Sequence, residues 1–364
     1  MIRTLSSAAL MAGVIAAATL ACSDTSDPSS RPTIDPLESG TAPKLTQQSS
    51  GTTERLQAIS PVNNRVAWAS GLGGTFTVTT DGGATWRAGV VPGAEDLQFR
   101  DVEGVSARVA YLMSSGPGDA SRIYKTVDGG ATWTLQFKTN ISATFYDCFA
   151  FWDRNRAIAF GDPVLDGVIP VLRTTDGTHW INIGGRLPKA RSDEFGFAAS
   201  GTCVATQGTS NAWIVTGGST ARILATTDGG DTWRAYRTPI VQGLPASGGT
   251  TVAFRDARHG ILAGGDITEA NPRTKNVAVS ADGGVTWSLA ASAPFPGSVF
   301  GLAYAPRLGA RAVFATGPGG ASYSLNEGRT WHILPGVEGF WAVAFADRVG
   351  WLVGVEGRIL KVSF

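Results

Sequence analysis

Beyond residue 42 the chain is a succession of short apolar runs separated by glycine and polar turns, with almost no helical period. Runs of this length between turn residues predict β-strands. One type returns seven times, usually opened by a small residue and left through glycine. Its copies are Ala67-Trp68-Ala69-Ser70-Gly71, Ala110-Tyr111-Leu112, Ala157-Ile158-Ala159-Phe160-Gly161 and Ala212-Trp213-Ile214-Val215-Thr216-Gly217. It continues as Gly260-Ile261-Leu262-Ala263-Gly264, Ala312-Val313-Phe314-Ala315-Thr316-Gly317 and Gly350-Trp351-Leu352-Val353-Gly354. Another strand precedes each copy, clearest in Thr251–Phe254 and Trp341–Phe345.

A polar phrase follows six of the seven copies, roughly every 50 residues. It reads Thr79-Thr80-Asp81-Gly82-Gly83-Ala84-Thr85-Trp86 and returns around Asp128, Asp228 and Asp282, with a shortened copy at Asp176 and a degenerate one at Asn326. Asp-Gly-Gly between strand-like runs signals a hairpin, because glycine accepts positive φ and aspartate bonds nearby backbone amides. These six residues are therefore turn formers, not catalytic groups or metal ligands. The Trp that follows is expected to lie between neighbouring sheets and supply apolar area that a small sheet lacks.

Seven units of four short strands predict an all-β, seven-bladed β-propeller over residues 42–364, with six or eight blades as the next reading. The last unit supplies only a third strand, Arg358–Phe364. A ring left so would keep an open edge. Lys44–Gln48, just ahead of the first inner strand, is expected to close the last blade from the N-terminal side.

The N-terminal residues follow another pattern. Arg3 precedes an apolar run from Ala8 to Ala21, too short to span a membrane comfortably, so residues 1–21 read as a signal peptide. Thr19-Leu20-Ala21-Cys22 resembles a bacterial lipoprotein cleavage site, which implies lipidation of Cys22, with ordinary signal cleavage as the alternative. Residues 22–41, rich in Ser, Thr, Asp and Pro, read as a flexible tether. The expected location is the bacterial cell envelope or periplasm, as a membrane-anchored lipoprotein.

Composition narrows the function classes. Lys and Arg total 30 against 29 Asp and Glu in 364 residues, which lacks the basic excess a nucleic-acid binder needs. Hydrophobic residues at 43 % allow a large core, so wholesale disorder is excluded. Gly71-Leu72-Gly73-Gly74 and Gly317-Pro318-Gly319-Gly320 precede no helix and read as turns, not nucleotide loops. The three histidines, His179, His259 and His332, show no ligand spacing, so neither metal nor cofactor is expected. Cys148 and Cys203 occupy equivalent places before their glycines in adjacent units. In an exported chain this suggests a disulfide between blades three and four, against two buried free thiols as the alternative.

The phrase Ser/Thr-x-Asp-x-Gly-x-Thr-Trp resembles the Asp-box, or BNR repeat, of sialidases and sortilin-type receptors. Gly350-Trp351-Leu352-Val353-Gly354, continued to Ile359, is similar to the photosystem II stability/assembly factor group and its bacterial relatives, some of them labelled oxidoreductase. The resemblance covers about residues 44–364. It implies a propeller fold and, by analogy with the photosynthetic relatives, a protein-binding assembly role. Those relatives bind a membrane-protein precursor through an arginine patch, whereas the arginines here, such as Arg100, Arg154 and Arg156, are scattered along the sequence. No sialidase-type Arg-Ile-Pro signature stands near the first unit, where Leu56–Val62 runs instead.

The expected function is therefore non-catalytic: a monomeric scaffold or assembly factor for an envelope or membrane protein. A glycan-binding or glycan-cleaving propeller is the alternative. The candidate binding face comprises Arg100, Asp101, Tyr146 and Asp147 near the inner strands, with Asp162, Asp166, Arg191, Glu194 and Asp266 in the longer loops. Carboxylates paired across a cleft among aromatics would favour sugar hydrolysis. An apolar face carrying arginines would favour a protein partner.

Overall fold

In a computed structural model, which describes residues 42–269 and 274–364, the repeated units fold as seven antiparallel blades around a central channel. The expected signal peptide (1–21), Cys22 and the tether to residue 41 lie outside the described residues. Blade one comprises Leu56–Pro61, Ala67–Gly71, Thr75–Thr79 and Arg87–Val90, from the channel outward. Blade two comprises Phe99–Gly104, Ala110–Ser114, Arg122–Thr126 and Thr134–Lys138. The inner strands of the remaining blades are Tyr146–Phe151, Val204–Gln207, Ser247–Phe254, Gly301–Tyr304 and Phe340–Ala346. Each inner strand touches the next, and the seventh touches the first, so the ring is closed.

The N-terminal strand Lys44–Ser49 completes blade seven by pairing antiparallel with Arg358–Ser363, with Lys44 opposite Ser363 and Ser49 opposite Arg358. Gln48 fastens this closure. Its Oε1 accepts hydrogen bonds from Trp86 of blade one and Trp351 of blade seven, both at 3.0 Å. The two indoles meet edge to face at 6.4 Å.

The same aromatic contact recurs between other blades. Fully buried Trp68 meets Trp133 of blade two at 6.2 Å, and Tyr111 reaches Trp180 of blade three through Phe151. Trp213 stacks on Phe254, which meets Trp287 of blade five. A large residue of one second strand and the turn Trp of the next blade thus meet, directly or through a phenylalanine, at four of the seven seams. Such pairs add about 0.5–1.5 kcal/mol beyond their area burial.

The aspartate turns are closed by their own side chains. Asp81 Oδ1 accepts the Thr85 amide and the Thr79 hydroxyl, both at 2.9 Å, and Oδ2 accepts the Thr85 hydroxyl at 2.7 Å. Asp128, Asp228 and Asp282 repeat this pattern, and Asn326 keeps it with its amide donating to Thr330. In the shortened copy His179 takes the threonine's place, 2.7 Å from Asp176. Gly82 and Gly83 supply the positive φ, at 76° and 84°. The amides of Gly82, Gly129, Gly229 and Gly283 reach the loop joining the first two strands of the same blade, so these turns and loops share one face.

Blade five departs from four strands. Gly217–Gly218 pairs with Glu194–Phe195 on one side and with Gly248 on the other, giving a six-stranded sheet. Glycine on both sides permits this, because a Cβ on Gly248 would collide with the Gly217 backbone. The long connection from blade three to blade four, residues 183–203, is thereby pinned across blades four and five. A disulfide joins Cys148 and Cys203 at its far end, with Cα atoms 5.9 Å apart.

Candidate binding site at the channel mouth

The inner strands do not run straight into the channel. In blades one, two, three, five and seven the register against the second strand slips by one residue, at Gln57, Arg100, Asp147, Thr250 and Trp341. A bulge of this kind re-aims one side chain without ending the strand. Four of these five, Gln57, Arg100, Asp147 and Trp341, line one cavity of about 330 Å³ at the channel mouth opposite the aspartate turns. Thr250 is instead buried, donating to the Val299 carbonyl. Arg55, Phe145, Asp162, Phe197, Ile267 and Phe300 complete most of the remaining wall.

Two guanidinium groups share this cavity with no salt bridge to either among the described residues. Arg55 lies over the Trp341 ring at 4.8 Å, and its buried Nε has no hydrogen-bond partner. Arg100 donates to Gln98 Oε1 at 2.7 Å and to the Ala198 carbonyl at 3.2 Å. Burial, then repulsion from Arg55, lowers the Arg100 pKa. Gln57 Oε1 and Asp147 Oδ2 are likewise buried without partners.

Asp147 and Asp162 meet at a single residue, Gly196. The Gly196 amide donates to Asp162 Oδ1 at 2.8 Å, and a Cβ on Gly196 would stand 2.7 Å from Asp147 Oδ2. Burial pushes Asp162 up to about 6. Burial and then the Asp162 charge push Asp147 well above the usual carboxylate range. Burial thus disfavours the charged form of both carboxyls, while the two arginines stand beside them in the same cavity.

A second cavity of about 620 Å³ opens beside the first, between residues 162–167 and 190–195. It is lined by Asp162, Asp166, Arg191, Asp193 and Glu194, and shares Phe145 and Asp162 with the channel mouth. Glu194 is committed to the fold: its Oε1 accepts Arg222 Nε at 2.7 Å and Thr216 at 2.6 Å, while Oε2 accepts the Arg191 amide at 2.7 Å. Asp266 is also inward-facing, buried and accepting from Thr268. Tyr146 packs edge to face on Phe137 and lines neither cavity.

Asp101 faces the other half of the channel, toward the aspartate turns. Its two oxygens accept the Val102 and Phe149 amides at 2.8 and 2.7 Å, so it joins blades two and three. Nearby Glu103 is pushed up to about 7 by burial, opposed by its bond from Ser60. Among the described residues, no group of three or more His, Cys, Asp or Glu converges as a metal ion would require.

Of the residues expected to form a binding face, the fold brings Arg100, Asp147, Asp162, Asp166, Arg191 and Glu194 to two adjoining cavities, Glu194 there already committed to Arg222. Arg55, Gln57, Phe300 and Trp341 were not foreseen. Gln57 and Trp341 carried one signal, the middle place of a bulky–any–small triplet at the start of an inner strand, Leu56-Gln57-Ala58 and Phe340-Trp341-Ala342.

No protein-family model matches the chain, and no curated protein matches it in sequence. Similarity lies in the fold. YCF48 bound to a D1 peptide superposes with a TM-score of 0.62 at 16 % identity, covering 89 % of this chain and 97 % of that one. YCF48 from Cyanidioschyzon merolae gives 0.62 at 17 % identity, over 88 % and 98 %. Virginiamycin B lyase from Staphylococcus aureus gives 0.63 at 10 % identity, over 89 % and 100 %. At these identities the fold is what is shared.

Proposed function

We propose that this chain is an exported, non-catalytic propeller that binds a protein partner through its channel-mouth face. It would serve as a scaffold or assembly factor for an envelope complex, tethered through a lipid on Cys22. The observation that carries this reading is the cavity itself: Arg55 and Arg100, neither in a salt bridge among the described residues, set among Phe145, Phe197, Phe300 and Trp341. Aromatics and arginine are the residues that dominate protein-binding hot spots. Peptide binding by the fold neighbour YCF48 supports the same direction, as does the similarity of Gly350–Ile359 to the assembly-factor group.

The glycan-cleaving alternative needs carboxylates facing each other across a bond, about 5–9.5 Å apart. Asp147 and Asp162 instead lean on the same residue, Gly196, from one wall. The lyase neighbour is inactivated by loss of a histidine. Here His179 and His259 bond to Asp176 and Asp256 on the aspartate-turn face, and His332 opens an outer strand directly after such a turn. None lines the channel-mouth cavity.

The test is co-purification from native cells with the tagged full-length chain, compared with an Arg55→Glu, Arg100→Glu variant that retains the wild-type melting profile. A reproducible partner that the variant loses supports the reading. A partner retained equally by the variant contradicts this face, and no partner above background contradicts the function.

A further inference from the structure

We propose that the channel-mouth cavity and the pocket beside blade three form one bipolar groove. It would seat an extended peptide segment bearing an acidic and a basic side chain a few residues apart. The proposal rests on the protein-binding reading and specifies what the partner presents.

The two cavities are continuous, because Phe145 and Asp162 line both. Their ends carry opposite charge. At the channel mouth stand Arg55 and Arg100 with no opposing salt bridge among the described residues. At the blade-three end stand Asp166 and Asp193, both exposed. Among the described residues the Asp193 carboxylate accepts a neighbouring hydroxyl, from Ser192 at 3.0 Å, and Arg191 is the cation lining that pocket. Glu194 adds no charge to the balance, since Arg222 neutralises it 2.7 Å away. A ligand of one sign would suit one end and be repelled at the other.

The channel-mouth part of the groove is chemically apt for a polypeptide backbone. Gln57, 2 % exposed, leaves Oε1 without a donor. Asp147, 1 % exposed, leaves Oδ2 without a partner. A buried polar atom left so is destabilising, and a bound partner that pairs with it removes that penalty. Gln57 Oε1 can accept, and the Asp147 carboxyl, driven toward its neutral form by burial, can donate from the side left without a partner. Those are the complements of one N–H and one C=O, the pair that every extended residue offers. Side chains projecting from such a strand then reach the arginine end and the aspartate end.

The probes are fluorescently labelled, terminally blocked peptides with one Asp and one Lys separated by one to five serines, in both orders, titrated against the full-length chain by anisotropy. Blocked termini remove a terminal carboxylate as the source of binding. The groove predicts a preferred order and spacing, bound about ten-fold tighter than the all-serine peptide. Asp166→Asn with Asp193→Asn should abolish the part of the affinity that depends on Lys and spare the part that depends on Asp. Both residues have positive φ, 60° and 54°, where Asn is well tolerated. Arg55→Gln should do the reverse. Equal binding at all spacings, or equal losses for either peptide charge in both variants, would overturn the proposal. If a cellular partner is captured through this face while the peptides fail to discriminate, the groove inference fails and the protein-binding reading stands. If the peptides discriminate and no partner is captured, the reverse holds.

Discussion

Single residues decide both the closure of the ring and its response to pH. Gln48 is the sole side chain joining the N-terminal strand to both Trp86 and Trp351 in the observed bonds. Gln48→Leu strands two indole N–H groups, at about 1–3 kcal/mol each, and should lower the urea midpoint with little change in slope. The carboxylates split into two sets. Asp81 and Asp128 are held down to about 2 by bonds from Thr85 and Thr132, so their contribution is full above about pH 4 and lost as pH falls toward 2. Asp162 and Glu103 are pushed up to about 6 and 7, and Asp147 and Asp101 are raised further by burial. These four bind protons more tightly folded than unfolded, so stability is lost as pH rises from about 4 through their folded values. The melting midpoint should therefore peak near pH 4–5 and decline toward neutrality. Asp147→Asn with Asp162→Asn should flatten that decline, measured by thermal melts between pH 4 and 8. A midpoint still rising through pH 7 would show that these groups are not held protonated.

At the scale of strands and loops, function is built where the repeat is broken. The inner-strand bulges bring Gln57, Arg100, Asp147 and Trp341 together, and the 183–203 connection lays Gly196, Phe197 and Ala198 beside them. That connection is held by the Glu194–Arg222 ion pair and by the Cys148–Cys203 bond, which lies next to Asp147. Closing a segment of 55 residues stabilises the fold by roughly 4 kcal/mol in the chain-entropy view. Cys148→Ser with Cys203→Ser should lose stability on that order, and hydrogen exchange should quicken first in residues 190–203. The strands, the turns and the N-terminal closure were legible in the sequence because apolar period, glycine and aspartate repeat at fixed places. The site was legible only in part. Loop acids such as Asp162 and Asp166 stood out as insertions. Arg55 stands just ahead of the first inner strand and Arg100 at the bulge of the next, so the two meet only when blades one and two pack; Arg100 was expected, but no linear spacing announces Arg55. Glu194 looked like a free loop acid because its partner Arg222 lies in another strand.

For the molecule as a whole, the two faces have different work. One carries the aspartate turns, whose polar side chains satisfy one another and whose histidines are tied to Asp176 and Asp256. The other carries the long loops and the two adjoining cavities, where Arg55, Gln57 and Asp147 each leave a buried polar atom without a partner. The N-terminal strand begins at Lys44 opposite Ser363, where blade seven's third strand ends on the turn-bearing side. A tether preceding it would leave from that side and keep the channel-mouth face open. The most direct test places a photo-crosslinking residue at Ile267 on the channel-mouth rim, 43 % exposed, and separately at Val285 in an aspartate turn, 45 % exposed. Irradiation in native cells should give a discrete adduct from position 267 that is missing from position 285. The same adducts from both positions, or one from position 285 alone, would contradict the assignment of binding to the channel mouth.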